Sequence, residues 1–139
     1  MATSPQLARL QKRLDAIPKS VREAVRPALT KSGEELTAAM RRLAPEDTGA
    51  LKDSIVATLP GERTPPYSQP GGARLVGENE VVVTAGNSGV RYPHLVEYGT
   101  AQAPAQPFFW PAFRLLKRRI EGRLKRAIGK AVRDGWKAP

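Results

Sequence analysis

The sequence predicts an α+β fold, and three observations support this prediction. Apolar residues recur at helical spacing in a long stretch near each end of the chain. Between those stretches, Ser54 to Leu59 and Glu80 to Gly86 read as short strands, the second containing a run of β-branched residues. A segment rich in proline and glycine separates the two runs. We therefore expect N-terminal helices, a small antiparallel sheet with a long loop, and a long basic C-terminal helix.

Length and cysteine content narrow the class of protein. A chain of 139 residues is long enough for one domain with its own core. We expect this domain to comprise N-terminal helices (1–43), a motif-bearing sheet followed by a proline-rich aromatic segment that we call the strap (both within 44–113), and a C-terminal helix (114–139). The absence of cysteine excludes disulfides and thiolate metal sites. No apolar signal core opens the chain, and no run approaches the roughly 20 apolar residues of a membrane span. We expect neither export through a signal peptide nor a membrane contact.

The formal net charge of +10 is concentrated in one element. Residues 114–137 hold ten Lys or Arg against Glu121 and Asp134, a net of +8. A helix with this charge could neutralise several phosphates, so a basic DNA-binding protein is an alternative function. We favour a solvated helix face or one that faces an acidic partner chain, because no recognition-helix or RNA-binding motif accompanies the charge.

Two helices are predicted before residue 44. The first covers Pro5 to Ile17, with Ser4 as its N-cap, and Pro18 interrupts it. The second runs from Val21 to Leu43. The proline at position 27 should kink this second helix or divide it, because proline removes a backbone donor and clashes with the preceding turn.

Turn-forming residues mark two irregular segments. Glu46 to Gly49 has the residue types of a turn, and Leu51 to Ser54 should form a helical turn after it. The twenty residues from Pro60 to Asn79 are too many for a hairpin turn, although Ala73 to Val76 could add a strand. Their prolines and glycines disfavour regular structure, so we expect a loop that is mobile in the free subunit and contacts a neighbouring one. The residues predicted to make that contact are Pro65, Pro66 and Tyr67.

A short helix and a long helix are predicted after the sheet. Pro93 suits the first turn of a helix that ends at Tyr98, and Gly99 can close that helix in the left-handed conformation. The long helix runs from about Pro111 to Trp136, with its apolar residues on one face.

Between these helices lies an aromatic strap. Because Pro104, Pro107 and Pro111 each disfavour a helix, the strap should be stiff and extended. Consecutive rings in an extended segment point to alternating sides, and a small domain can bury only one side against its own core. At least one ring should therefore contact another subunit. The rings concerned are Phe108, Phe109 and Trp110.

The sequence predicts no catalytic, cofactor or metal site. His94 and Glu97 have the spacing of a metal pair on one helix face, but two ligands do not make a site. Glu46, Asp47 and Asp53 offer carboxylates, yet their spacing matches no ion-binding loop. A small metal-dependent hydrolase is therefore the less favoured alternative, and a non-enzymatic role is preferred.

Three sequence blocks occur in a recognisable order. They are Ala-Pro-Glu-Asp-Thr-Gly-Ala-Leu-Lys-Asp-Ser-Ile (44–55), a block from Tyr92 ending in Val-Glu-Tyr-Gly-Thr (96–100), and Ala-Gln-Pro-Phe with Pro-Ala-Phe (105–113). In this order they resemble the HK97 gp10-like family of tailed-bacteriophage proteins. The positions that match the family motif are Pro45, Asp47, Thr48, Gly49, Leu51, Tyr92, Glu97, Gly99, Thr100, Pro107, Phe108 and Pro111.

The resemblance implies a structural component of the phage neck at the head–tail junction, called a tail-completion, tail-terminator or head–tail connector protein. It implies a small α+β subunit in a ring, expected to be six-fold, around the DNA channel. Its partners would be copies of itself, neighbouring neck and tail-tube proteins, and packaged DNA through non-specific contact. Such a protein is made in the bacterial host cytoplasm and ends in the virion. The long loop and the basic final helix depart from the family pattern and leave the neck layer open.

The second block also has a purely local interpretation. Glu97 to Thr100 could form a structural turn in which backbone N–H groups cap the Glu97 carboxylate. Tyr92 and Tyr98 would then lie in the core.

Overall fold

The computed structural model describes residues 5–6, 8, 19–46 and 49–137. In the described part of the chain, α1 (Lys19–Leu43) and α2 (Ala50–Asp53) precede β1 (Val56–Thr58) and β2 (Val82–Thr84), and α3 (Pro93–Tyr98) and α4 (Phe109–Lys137) follow. The α+β prediction is confirmed. Residues 5, 6 and 8 of the predicted N-terminal helix are helical, and the rest of that helix lies outside the described residues.

The helix α1 passes through Pro27 without a break. Of the two predicted effects of this proline, the division of the helix is therefore wrong, and the kink stays a prediction. A proline inside a helix costs about 3 kcal/mol, and α1 offsets this cost because it packs along α4, the most extensive contact between elements in the described fold. The helix ends before Pro45, as predicted, and the Ala44 N–H donates to the Met40 carbonyl at 2.9 Å.

The turn of helix predicted near residue 51 is confirmed as α2. Gly49 precedes it with φ of 82°, in the left-handed region that favours glycine. Ser54, which follows α2, is buried: its Oγ donates to the Leu51 carbonyl at 2.6 Å and accepts from the Gly86 N–H at 3.0 Å. One hydroxyl thus joins the end of α2 to the end of β2.

The two strands pair antiparallel, as predicted, with Ala57 opposite Val83. Helix α1 crosses this sheet at Gly33, which is buried. A Cβ atom at this glycine would lie 2.9 Å from Val81 Cγ1 and 3.1 Å from the Ala57 Cβ. The close approach of helix to sheet therefore requires a residue without a side chain.

The loop from residue 60 to 79 folds onto its own domain. Single antiparallel bridges join Arg63 to Leu75 and Gln69 to Ala85, and the predicted strand at 73–76 is reduced to the first of these bridges. The Thr64 and Ser68 side chains are buried, and Thr64 Oγ1 donates to the Gly72 carbonyl at 2.7 Å. Polar side chains thus satisfy backbone groups that a regular ladder would have paired. The mobility of this loop in the free subunit and its contact with a neighbouring subunit stay predictions.

The core lies between α1, the sheet and the start of α4. Phe108, Met40 and Ile55 are its largest fully buried side chains. The helix α4 has 29 residues, about 43 Å at 1.5 Å per residue, and confirms the predicted long C-terminal helix. Among the described helices, none combines the length and the apolar content that crossing a bilayer requires.

Candidate interaction surface

Glu97 joins the short helix α3 to the long helix α4. Its side chain is buried, and Oε2 accepts hydrogen bonds from the backbone N–H groups of Phe108 at 2.8 Å and Phe109 at 3.2 Å. Its Oε1 accepts from the Trp110 N–H at 3.0 Å. The first N–H groups of a helix have no partner within it and carry a partial positive charge, so a carboxylate here stabilises the helix start. The local interpretation of Glu97 as a capped structural residue is confirmed.

This cap explains why the prediction of an extended strap is wrong at the C-terminal end of the strap. The long helix begins at Phe109, two residues before the predicted start at Pro111. Pro111 falls in the first turn, where its missing N–H has no helical partner to lose, and Glu97 supplies the acceptors that the preceding residues need. The rings of Phe109 and Trp110 are therefore separated by about 100° around a helix, not by 180° along a strand.

The three rings consequently have different environments. Phe108 is 1% exposed and belongs to the core, Phe109 is half-buried, and Trp110 is 36% exposed. The rings do not alternate between two sides, as we expected of an extended strap, but one ring does remain outside the core of the subunit, as expected. The predicted contact of these rings with another subunit stays a prediction.

Trp110 is the centre of an exposed cluster that we call the aromatic patch, formed by Tyr98, Trp110 and Phe113. The Trp110 Nε1–H donates to the Tyr98 hydroxyl at 3.0 Å. The Trp110 and Phe113 rings meet edge to face with centroids 6.0 Å apart. Tyr98 is 70% exposed, and Leu95, one turn earlier on α3, is exposed as well.

The aromatic patch corrects one expectation and adds two residues. Tyr92 and Tyr98 are exposed and do not lie in the core. Tyr98 and Phe113 were not predicted as contact residues. Their spacing from Trp110 signals a common surface only once the start of α4 is known, since residues 110 and 113 then share a helix face.

A cavity of about 230 Å³ opens beside the aromatic patch. Gln69 Nε2 lies 2.9 Å from His94 Nδ1 within its wall. His94 therefore binds the loop, while Glu97 binds backbone N–H groups, and no cluster of three or more His, Cys, Asp or Glu is present in the described chain. The lining residues are Gln69, Pro70, Ala85, Pro93, His94, Glu97, Tyr98, Phe108, Phe109 and Trp110.

A second cavity, of about 280 Å³, lies where the first two sequence blocks meet. The Gln106 N–H donates to the Val96 carbonyl at 2.8 Å on one wall, which ties the third block to α3. Asp47 and Thr48 of the first block lie outside the described residues. The lining residues are Pro45, Glu46, Gly49, Leu51, Tyr92, Val96 and Gln106. The described motif residues thus build a scaffold around α3.

Gly99 and Thr100 turn the chain between α3 and α4. Gly99 has φ of 78° and ψ of 173°, a conformation nearly exclusive to glycine, and not the left-handed helical one that we predicted. A Cβ atom there would lie 2.7 Å from the Ala105 backbone N. The Thr100 Oγ1 accepts from the N–H of Ala103 at 3.0 Å and closes the turn.

The predicted contact residues of the loop include one strained, exposed ring. Tyr67 has φ of 62° and is 56% exposed, and the Arg91 guanidinium lies 3.7 Å from its ring centroid. Pro65 is half-buried and Pro66 is exposed beside it. Their contact with another subunit also stays a prediction.

Two of the arginines of α4 contact an acidic residue of α1 within the same subunit. Arg123 donates to Glu35 Oε1 at 2.7 Å and to Ser32 Oγ at 3.1 Å, which joins α4 to α1. Arg119 lies 3.6 Å from the same carboxylate oxygen. The hydrogen bond from Arg123 lowers the pKa of Glu35, and the nearby positive charges act in the same direction. The sequence offered no specific signal for this pair, whose members are separated by 88 residues.

A comparison with known protein families identifies the family to which this chain belongs. The HK97-gp10-like family model, described as covering candidate tail components of bacteriophages, matches residues 8–99. That range holds about two-thirds of the 139 residues. The chain belongs to the HK97-gp10-like family. No curated protein and no solved structure gave a significant match.

The match confirms the resemblance inferred from the sequence blocks. This HK97-gp10-like protein is thereby associated with phage tails as a structural component. The matched range contains α1, both strands and α3, and it ends at Gly99. The third block, the aromatic strap and α4 lie beyond it. The residues that give this protein its aromatic patch and its charge are therefore mostly outside the family match.

Proposed function

We propose that this HK97-gp10-like protein is a structural subunit of the phage neck, which assembles into a ring at the head–tail junction in a tail-completion, terminator or connector role. The aromatic patch is the observation that supports assembly. Exposed aromatic clusters mark interaction sites, and aromatic residues supply much of the binding energy at protein interfaces. The role is structural and includes no reaction.

The rigidity of the aromatic patch also supports the proposal. Glu97 holds the start of α4 against α3 through three backbone hydrogen bonds, and the Tyr98 hydroxyl binds the Trp110 indole. Tyr98 and Trp110 are thus preorganised on two helices. Preorganised side chains lose little conformational entropy on binding, so more of their interaction energy appears as affinity.

A ring requires contacts between two different surfaces of each subunit. The aromatic patch supplies one, and the folded loop supplies a second candidate in Tyr67 and Leu75, both exposed. A contact between unlike surfaces is heterologous, and such contacts close into a ring when the rotation between subunits permits. We expect six subunits in the ring.

The oligomeric state of the purified protein tests the proposal. We expect mass photometry and negative-stain microscopy to show closed rings, and Trp110→Ala to raise the dissociation constant by about 30-fold, the effect of a 2 kcal/mol hot spot. Ile128→Ala, at another exposed apolar residue of α4, is the matched control and should leave assembly unchanged. Both variants should still melt cooperatively.

The proposal also predicts a particle phenotype. Phage particles produced without this protein should accumulate as separate heads and tails, and the wild-type chain supplied in trans should restore joining. Joined, infectious particles in its absence would contradict a neck role. A protein that stays monomeric alone and in the particle would contradict the ring.

A further inference from the structure

The outer face of α4 holds a strong and unpaired positive charge. Arg119 and Arg123 contact Glu35, but the remaining described cations of α4 are exposed and form no ion pair with any described acid. These cations are Arg114, Lys117, Arg118, Lys125, Arg126, Lys130 and Arg133. Unpaired charges on one element are not needed for its packing, so they are available for a partner.

Some of these cations align along a single stripe of the helix. At 100° per residue, positions 114, 118, 122, 125, 129 and 133 fall within about 100° of arc, and they span about 29 Å. Four positions are cationic and the other two, Gly122 and Gly129, are glycine. We call this set the basic stripe. Glu121 and Asp134, the acids of α4, lie outside its arc.

The two glycines are unusual inside a helix. Each glycine in a helix interior costs about 1 kcal/mol relative to alanine, and neither is needed for the core, because a Cβ at Gly122 or Gly129 would meet only a neighbouring arginine side chain, Arg126 or Arg133. The arginine guanidinium four residues later covers each glycine, with Nη1 3.2 Å from the Cβ position at Gly122 and 3.5 Å from that at Gly129. An arginine side chain that turns outward to a phosphate would let an extended partner approach the helix backbone closely at these glycines.

We infer that the basic stripe binds the phosphate backbone of duplex DNA. The inference rests on the proposed function, because the resemblance implies that a ring at the head–tail junction surrounds the DNA channel. It specifies which surface of the subunit faces the DNA. A stripe of about 29 Å matches roughly one helical turn of duplex, about 34 Å, and binding of its cations to phosphates releases condensed counterions.

Other occupants fit the charge less well. Leu115 and Val132 are exposed at the edges of the stripe and would suit a second copy of this chain. However, residues outside 114–137 carry 13 basic and 11 acidic side chains, a net of +2, so the rest of the subunit presents no compensating excess of acid. A second copy that packed its own α4 against the basic stripe would bring cations near cations, which disfavours that contact.

Binding to a fluorescent 30-base-pair duplex of arbitrary sequence, measured by anisotropy from about 50 to about 200 mM salt, tests the inference. The stripe variant carries Arg118→Gln, Lys125→Gln and Arg133→Gln. The control variant carries Lys31→Gln, Arg42→Gln and Arg63→Gln, three exposed cations elsewhere on the subunit, and loses the same net charge.

The stripe variant should weaken binding by more than about tenfold and reduce the slope of log affinity against log salt by about three, whereas the control should keep most of the affinity and slope. Equal losses in both variants would overturn the inference, because net charge alone would then explain binding. Wild-type protein that binds polyglutamate but not the duplex would also overturn it and would indicate an acidic protein partner.

Mass photometry under the same conditions separates this inference from the proposed function. Rings that form but bind no duplex contradict the basic stripe alone. Protein that binds the duplex through the stripe but never forms a ring contradicts the proposed function and supports the stripe.

Discussion

The carboxylate of Glu97 accepts a hydrogen bond from the backbone N–H of Trp110, thirteen residues further along the chain, at 3.0 Å. The same side chain accepts two further bonds from the N–H groups of Phe108 and Phe109. One buried residue of the second sequence block thus sets where the long helix begins and how the tryptophan is presented. Glu97, a residue of the family motif, thus positions Trp110 of the aromatic patch.

Replacing Glu97 with glutamine should destabilise the protein. The amide keeps the size of the side chain but removes its charge and places a donor against backbone donors. Because hydrogen bonds to charged groups contribute about 1.5–3 kcal/mol, we expect a loss of that size in the free energy of unfolding in urea. Glu121→Gln, on the exposed surface of α4, is the control and should change stability by less than about 0.5 kcal/mol. Equal stability of the Glu97 variant and the wild type would show that the cap contributes nothing.

Replacing Gly99 and Gly71 with alanine in separate variants should distinguish the stability cost of a positive φ from that of a steric clash. Gly99 combines a positive φ with a backbone N only 2.7 Å from the position of a new Cβ, whereas Gly71 has φ of 94° and open space around it. A positive φ alone costs an alanine about 1–2 kcal/mol. We expect Gly71→Ala to lose about that amount and Gly99→Ala to lose clearly more, measured by chemical denaturation. Equal losses would mean that the turn from α3 to α4 relaxes without cost.

The three rings of the strap should respond differently to truncation. Phe108→Ala removes a fully buried ring and should cost about 3–5 kcal/mol, a large part of the 5–15 kcal/mol typical of a domain. Trp110→Ala should leave a cooperatively folded subunit, because its ring is partly exposed. Leu115→Ala truncates an apolar side chain of α4 that is 75% exposed, so it serves as the control and should change stability little. Thermal melts of the three variants check this order, and a Trp110 variant that unfolds as readily as the Phe108 variant would refute it.

Acid should weaken the contact between α1 and α4. Arg123 lowers the pKa of Glu35, so this carboxylate is more acidic in the folded state than in the unfolded one. Its stabilisation is therefore complete above the ordinary glutamate pKa of about 4.3 and is lost as the pH falls through the lower, folded value. Urea midpoints measured from pH 7 downwards should fall less steeply for Glu35→Gln than for the wild type.

A second carboxylate provides the control for this pH dependence. Glu46 also has a lowered pKa, because of its hydrogen bond from Lys52, but its side chain is largely exposed. Solvent screens exposed pairs, so Glu46→Gln should alter the acid response less than Glu35→Gln does. An identical acid response in the wild type and the Glu35 variant would show that this ion pair does not couple the two helices.

Local sequence determined much of this protein. The periodicity of apolar residues located α1 and α4, the β-branched run located β2, and Pro93 with Gly99 bounded α3. These features depend on residues a few positions apart, so they are visible in the sequence. The sequence blocks likewise identified the family, because they hold particular residue types at fixed spacing. The first block and nearly all of the second lie within the matched residues 8–99.

Contacts between distant residues decided the rest. The start of α4 depends on acceptors that Glu97 supplies from another helix, and the folded loop depends on buried partners such as Ser68. The unbroken path of α1 through Pro27 depends on its packing along α4. The positions of proline and glycine indicate only which backbone conformations are disfavoured locally. Whether that preference prevails is settled by hydrogen bonds and packing that form when remote segments meet, and these energies exceed the local ones.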